Sequence, residues 1–135
     1  MHALILIDHG SRRPAANALL EELAPLVRAR AGVPVYVAHM ELAEPSLDAA
    51  VDRAAVAGAR DIVVVPYFLG PGRHATEDIP ALARAAEDRR PDITLRVAEP
   101  LGIHPLLAEL VLVRAREAEG GRAAPAGPTG AHCTK

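Results

Sequence analysis

Short, wholly apolar runs alternate along the chain with longer stretches in which Leu, Val and Ala recur at the three- and four-residue spacing of a helix. Residues 3–7 (Ala-Leu-Ile-Leu-Ile) form the first run and end at Asp8-His9-Gly10-Ser11. Residues 14–30 predict a helix with Leu19, Leu20, Leu23 and Val27 along one side, and Gly32 stands where helices commonly close. Residues 33–38 predict a second strand closing at His39-Met40-Glu41. Glu44-Pro45-Ser46 then opens a helix that runs to residue 57, before Gly58. Residues 61–68, rich in β-branched side chains, predict the third strand. The glycine loop Gly70-Pro71-Gly72 leads through Arg73-His74 to a helix over residues 75–88. Residues 93–98 predict a fourth strand closing at Glu99-Pro100, and a last helix covers residues 104–118.

Continuous apolar strands separated by helices indicate an α/β fold in which helices cover both faces of a four-stranded parallel sheet, a three-layer αβα arrangement. Residues 1–119 make one domain. From residue 120 the periodicity stops and Gly, Pro and Ala dominate, which predicts a disordered tail over 120–135, with His132 and Cys133 inert within it. A sheet this small leaves edges that need covering, so a homodimer is expected.

Composition adds limits. Half of the 135 residues are apolar, but Tyr36, Tyr67 and Phe68 are the only aromatics, so the core is aliphatic. The net charge of −2 is spread over interspersed acids and bases with no basic stripe, which argues against a nucleic-acid partner. The apolar runs are too short to span a bilayer and no signal peptide is evident, so no membrane partner and a cytoplasmic location are expected. Cys133 is the only cysteine and has no internal disulfide partner.

Open parallel sheets bind ligands beyond the carboxyl ends of their strands. His9, His39 and Glu41 fall there, as do Arg73, His74, Glu77 and Asp78 in the loop after strand three, and Glu99 after strand four. Each has a plainer role available. His9 and Ser11 could cap a turn, Glu41 could be a solvated loop acid, Glu44 suits a helix start, and Asp78 is expected to cap the third helix. Glu99 and His104 are expected to hydrogen-bond across the Pro100–Gly102 turn. What marks the set is the shared rim. Imidazole and carboxylate donors suit Fe, Co, Ni or Zn, and the absence of CxxC and HExxH patterns argues against a closed structural zinc site.

Four blocks carry a resemblance: His9-Gly10-Ser11-Arg12; Glu41-Leu42-Ala43-Glu44-Pro45-Ser46; Val65-Pro66-Tyr67-Phe68-Leu69 running into Gly72-Arg73-His74 and Thr76-Glu77-Asp78-Ile79-Pro80; and Glu99-Pro100-Leu101-Gly102. Over residues 3–115 the chain resembles the small, single-domain sirohydrochlorin chelatases of the CbiX type, relatives of the ferrochelatase-like class II chelatases. The resemblance implies a flavodoxin-like sheet, a homodimer with a cleft between subunits, and insertion of a divalent metal (Co²⁺, or else Fe²⁺ or Ni²⁺) into a tetrapyrrole for cobalamin or siroheme synthesis. The metal is then a substrate, and no prosthetic group is expected. The resemblance makes His9 the proton acceptor and a metal ligand, His74 the second ligand, and Glu41 the assisting acid. It puts Leu69, Gly70, Pro71, Gly72 and Arg73, together with Arg12 and Glu44, against the macrocycle. Asp8 stands where the family usually has Gly, and His39 where it usually has an apolar residue, which makes His39 a candidate extra ligand.

Insertion releases two pyrrole protons, and histidine's ordinary pKa of about 6.5 suits it to accept them. Metal and proton compete for the same imidazole nitrogen, so one histidine could release a metal and collect a proton. The carboxylate-rich substrate favours cations at the rim, for which Arg73 is placed better than Arg12 or Arg13. Two rivals remain. A phosphohistidine hydrolase is disfavoured because Asp8 would repel phosphate. A metal-binding or metallochaperone module would use the same rim without a macrocycle pocket.

Overall fold

The structure is a computed structural model and describes residues 1–121. The chain divides into two units, Met1–Gly102 and the segment from Ile103 onward. The first contains β1 (Ala3–Asp8), α1 (Pro14–Ala31), β2 (Val35–His39), α2 (Leu47–Val56), β3 (Asp61–Pro66), a π-helical turn (His74–Asp78), α3 (Ile79–Arg89) and β4 (Thr94–Val97). The second contains α4 (Pro105–Glu119). His132 and Cys133 lie outside the described residues.

All strand pairs are parallel, in the order β2-β1-β3-β4, the order of a flavodoxin-like sheet, with β2 and β4 at the edges. Alternation along β1 divides its side chains between two layers. Leu4 and Leu6, with Val35 and Val37 of β2, pack under Leu20 and Ala24 of α1. Ala3, Ile5 and Ile7, with Ile62 and Val64 of β3, pack under Val51 and Ala54 of α2 and Ile79, Ala83 and Ala86 of α3. Both faces of β1 are therefore apolar, which is why it reads as a continuous hydrophobic run, whereas edge strand β4 alternates, with Thr94 and Arg96 exposed.

Helix boundaries reflect local chemistry. Pro14 stands at the first position of α1, where its missing N–H costs nothing, and Gly32 closes the helix at φ +75°. Ser46, not Glu44, caps α2: its hydroxyl accepts from the Ala49 N–H at 3.1 Å, while Glu44 Oε1 accepts from the Ser46 N–H at 3.3 Å. The helix expected over 75–88 is two pieces. Ile79 N–H donates to the His74 carbonyl, a five-residue step. Pro80 has no N–H to return to the Thr76 carbonyl, so the first turn widens before α3 begins.

In the second unit, the His104 ring caps α4, with Nδ1 accepting from the Leu106 N–H at 3.1 Å. No helix among the described residues is long and apolar enough to cross a membrane.

Candidate active site at the carboxyl rim of the sheet

The β1–β2 ladder continues beyond both strands. Asp8 is in register with His39; Met40 N–H donates to the Asp8 carbonyl at 2.9 Å and Glu41 N–H to the His9 carbonyl at 3.1 Å. These bonds carry Glu41 alongside His9, and its Oε2 lies 3.0 Å from His9 Nε2. Gly10 makes the approach possible. It sits at φ +94°, and a Cβ there would overlap the Glu41 carbonyl oxygen. Beyond Glu41 the chain turns at Leu42, φ +68°, and the loop closes where His39 N–H donates to the Pro45 carbonyl at 2.8 Å.

The loop after β3 brings in the second histidine. Tyr67 N–H donates to the Ile7 carbonyl at 2.7 Å, and Leu101 N–H to the Phe68 carbonyl at 2.9 Å, so the loop leaves the sheet at a fixed point. The His74 ring then lies against that of His9, with centroids 4.4 Å apart and planes tilted by 46°. His74 Nδ1 is 2.8 Å from Asp78 Oδ2. Asp78 makes no capping bond, contrary to the expectation for it; the π turn aims its carboxylate at the histidine instead.

An ionised carboxylate can only accept, so the His74–Asp78 hydrogen bond fixes the tautomer of that ring. His9 Nε2 and Glu41 Oε2 are in close polar contact. His74 Nδ1–H points to Asp78 and leaves Nε2 free to ligate. The three side chains of the expected site, His9, Glu41 and His74, are thus brought together, with His9 40% and Glu41 54% exposed. Among the described residues no group of three or more His, Cys, Asp or Glu side chains is assembled as a metal cage. The cluster is an open rim of imidazoles and carboxylates.

His39 is placed differently from the expectation of an extra rim ligand. It is 1% exposed, and its Nδ1 lies 2.5 Å from Asp8 Oδ1. The residues that departed from the family pattern are partners. Arg12 is exposed beside Ser11, and Arg73 faces Glu77 across one helical turn at 3.9 Å. Leu69 to Gly72 form an exposed loop that Thr76 secures, its hydroxyl donating to the Gly72 carbonyl at 2.9 Å. A depression of about 550 Å³ borders the cluster, lined by His39, Met40, Glu41, Leu42, Ala43, Glu44 and Ser46. A larger cavity of about 800 Å³ runs between α1 and the β2 edge, lined by Glu21, Arg28 and Tyr36 among others, without any rim histidine.

Asn17 escaped the sequence reading. Its Oδ1 accepts from the Ser11 N–H at 2.9 Å and its Nδ2 donates to the Ser11 carbonyl at 2.7 Å, so α1 grips the loop that carries Ser11 and Arg12. The visible signal was an Asn six residues beyond Ser11 in the first turn of a predicted helix.

The comparisons with known proteins point to one family. The chain is 43% identical over 109 residues to the chloroplastic sirohydrochlorin ferrochelatase of Arabidopsis thaliana, covering 80% of this chain but about half (48%) of that protein. It is 36% identical to the sirohydrochlorin cobaltochelatase of Methanopyrus kandleri, covering 89% of this chain and 99% of that one. Among solved structures, a CbiX protein from Marinobacter aquaeolei VT8 superposes with a TM-score of 0.77 at 38% identity, over 90% of this chain and 100% of that one. The sirohydrochlorin chelatase SirB of Bacillus subtilis subspecies spizizenii, in complex with cobalt, superposes with a TM-score of 0.78 at 29% identity, over 85% of this chain and 50% of that one. The CbiX family model matches residues 3–118, and this chain belongs to that family.

Proposed function

We propose that this protein is a sirohydrochlorin chelatase that inserts a divalent metal, Co²⁺ first and Fe²⁺ second, into the free-base macrocycle. The observation that carries the reading is the meeting of His9, Glu41 and His74 at one rim, each histidine held by a carboxylate. The names of the relatives, cobaltochelatases and a ferrochelatase, supply the substrate class.

The incoming metal is a substrate. His74 Nε2 and a ring nitrogen of His9 carry the lone pairs that meet it, and Asp78 keeps the His74 ring in the ligating tautomer. As the metal passes to the four macrocycle nitrogens, two pyrrole N–H bonds break. The metal–imidazole bonds break in the same exchange, and the freed imidazole nitrogen of His9 takes one proton. Glu41 stabilises the imidazolium, and its carboxylate or water takes the second proton. Arg12 and Arg73, both exposed, pair with carboxylates on the macrocycle edge, while Glu44 and the loop from Leu69 to Gly72 line its face. A second copy of the chain covers the open side, which makes the working form a homodimer.

The test is insertion by the purified chain, tracked in the absorption spectrum of sirohydrochlorin with Co²⁺ and, without oxygen, with Fe²⁺. Wild type should accelerate insertion, and His9→Ala should lower the rate about 100-fold or more. Metal binding without faster insertion would assign the rim to metal delivery and overturn the proposal.

A further inference from the structure

Asp8 and His39 lie directly beneath the cluster, and metal insertion by His9, Glu41 and His74 uses neither of them. Their Cα atoms are the last register pair of the β1–β2 ladder, and their side chains leave the same face of the sheet. His39 is the one buried polar or charged side chain among the described residues, and its Nδ1 bonds to Asp8 Oδ1. Burying a carboxylate–imidazole pair costs desolvation that an apolar pair of similar volume would avoid. Backbone bonds already join the strands here, so holding the sheet together does not account for the pair. Its place in the chain does: His9 is the residue after Asp8, and Glu41 stands two residues after His39. A Cβ on Gly10 would also lie 3.3 Å from the His39 Cβ, so the loop that carries His9 rests on the His39 side chain.

We infer that Asp8 and His39 form a positioning pair that sets the His9–Glu41 contact and through it the chelation step; the inference rests on the chelatase reading. The pair ties the two strand ends by their side chains just before the backbone must deliver Nε2 and Oε2 to hydrogen-bond distance. It touches neither metal nor macrocycle. Loss of the tie lets the strand ends shift, and the His9–Glu41 distance varies.

The experiment compares Asp8→Ala, His39→Leu, the double variant and Asp8→Asn, whose side-chain carbonyl still accepts from His39 Nδ1–H. In the insertion assay, Asp8→Ala and His39→Leu should each lower kcat about 10–100-fold with KM for metal and macrocycle nearly unchanged. The double variant should be no worse than either single one, and Asp8→Asn should restore most of the rate. In parallel, the imidazole nitrogen resonances of His9 are measured by NMR. They should match wild type in Asp8→Asn and shift in Asp8→Ala, or in His39→Asn should Asp8→Ala fail to fold. Single variants that keep wild-type kcat and unshifted His9 resonances would overturn the inference, as would a His39 variant that raises metal KM without changing kcat. A wild-type protein that inserts no metal, with the His9 resonances still shifted in the Asp8→Ala variant, refutes the chelatase reading and leaves the positioning pair standing.

Discussion

Replacing Gly10 by alanine tests whether the backbone itself builds the site. Gly10 adopts φ +94°, and its missing Cβ is the space through which the Glu41 carbonyl passes. An added Cβ would overlap that oxygen and lie 3.0 Å from the carbonyl carbon. Restoring van der Waals separation requires the 39–41 segment to withdraw by on the order of 1 Å or more. Left-handed backbone costs a non-glycine residue about 1–2 kcal/mol, and the displaced loop adds a comparable amount, for a total of roughly 2–4 kcal/mol. For a domain of this size that lowers Tm by roughly 10 °C. The two bonds that carry Glu41 to His9, at 2.9 and 3.1 Å, are those the withdrawal stretches, so the 3.0 Å carboxylate–imidazole contact opens. Misplacing a catalytic group by about 1 Å can cost around 100-fold in rate. Gly10→Ala should therefore lower kcat for metal insertion on that scale at a temperature where the variant is fully folded. The assay is the sirohydrochlorin spectrum, alongside thermal unfolding by circular dichroism. A variant with lowered Tm but wild-type kcat would refute the claim that this crossing positions Glu41.

Asp78→Asn should weaken metal binding by roughly 10-fold, measured by titration with Co²⁺, because a neutral amide no longer enforces the ligating tautomer of His74. Asn17→Ala removes two bonds to the Ser11 backbone and should cost about 1–2 kcal/mol in chemical denaturation; kcat should fall with it, because the loop bearing Arg12 loosens. Asp52, on α2, is held below the ordinary carboxylate range chiefly by its hydrogen bond from Arg90 and further by Arg89, both at the C-terminal end of α3. A depressed folded-state pKa contributes stability above the unfolded value, and that contribution is lost as pH falls through the folded value. Asp52 is 44% exposed, so Asp52→Asn should cost only about 0.5 kcal/mol at neutral pH, and the difference from wild type should vanish in acid.

The sheet was legible because its central strand β1 is buried on both faces and Ile62 to Val64 of β3 show no polar interruption, and Gly32 and Gly58 mark where the helices before them end. Three features of the site were not. The Asp8–His39 bond depends on a register between residues 31 apart in the chain, and local pattern leaves that register open. His39 consequently resembles one more rim donor in the sequence. Asp78 resembles a cap because a helix is expected to begin at 75; its actual partner is visible in the four-residue spacing to His74 once the widened turn before Pro80 is anticipated. The choice between Glu41 and Glu44 also turns on tertiary detail. Glu44 bonds to the Ser46 N–H, and the ladder extension that delivers Glu41 starts only where the strands end.

These three features share a physical logic. A chelatase must bind its metal loosely enough to surrender it, and a cage of three or more buried ligands would compete with the macrocycle it serves. Here each rim histidine has one nitrogen beside a carboxylate, Glu41 for His9 and Asp78 for His74, and each is roughly 40–45% open to solvent. The carboxylates orient the rings while adding no closed coordination shell. Solvent reaches both rings, so in the proposed mechanism water can replace each departing ligand bond and receive protons from His9. The rigidity lies one layer below, in Gly10, Asn17 and the Asp8–His39 pair, where it orients the donors without tightening their hold on the metal.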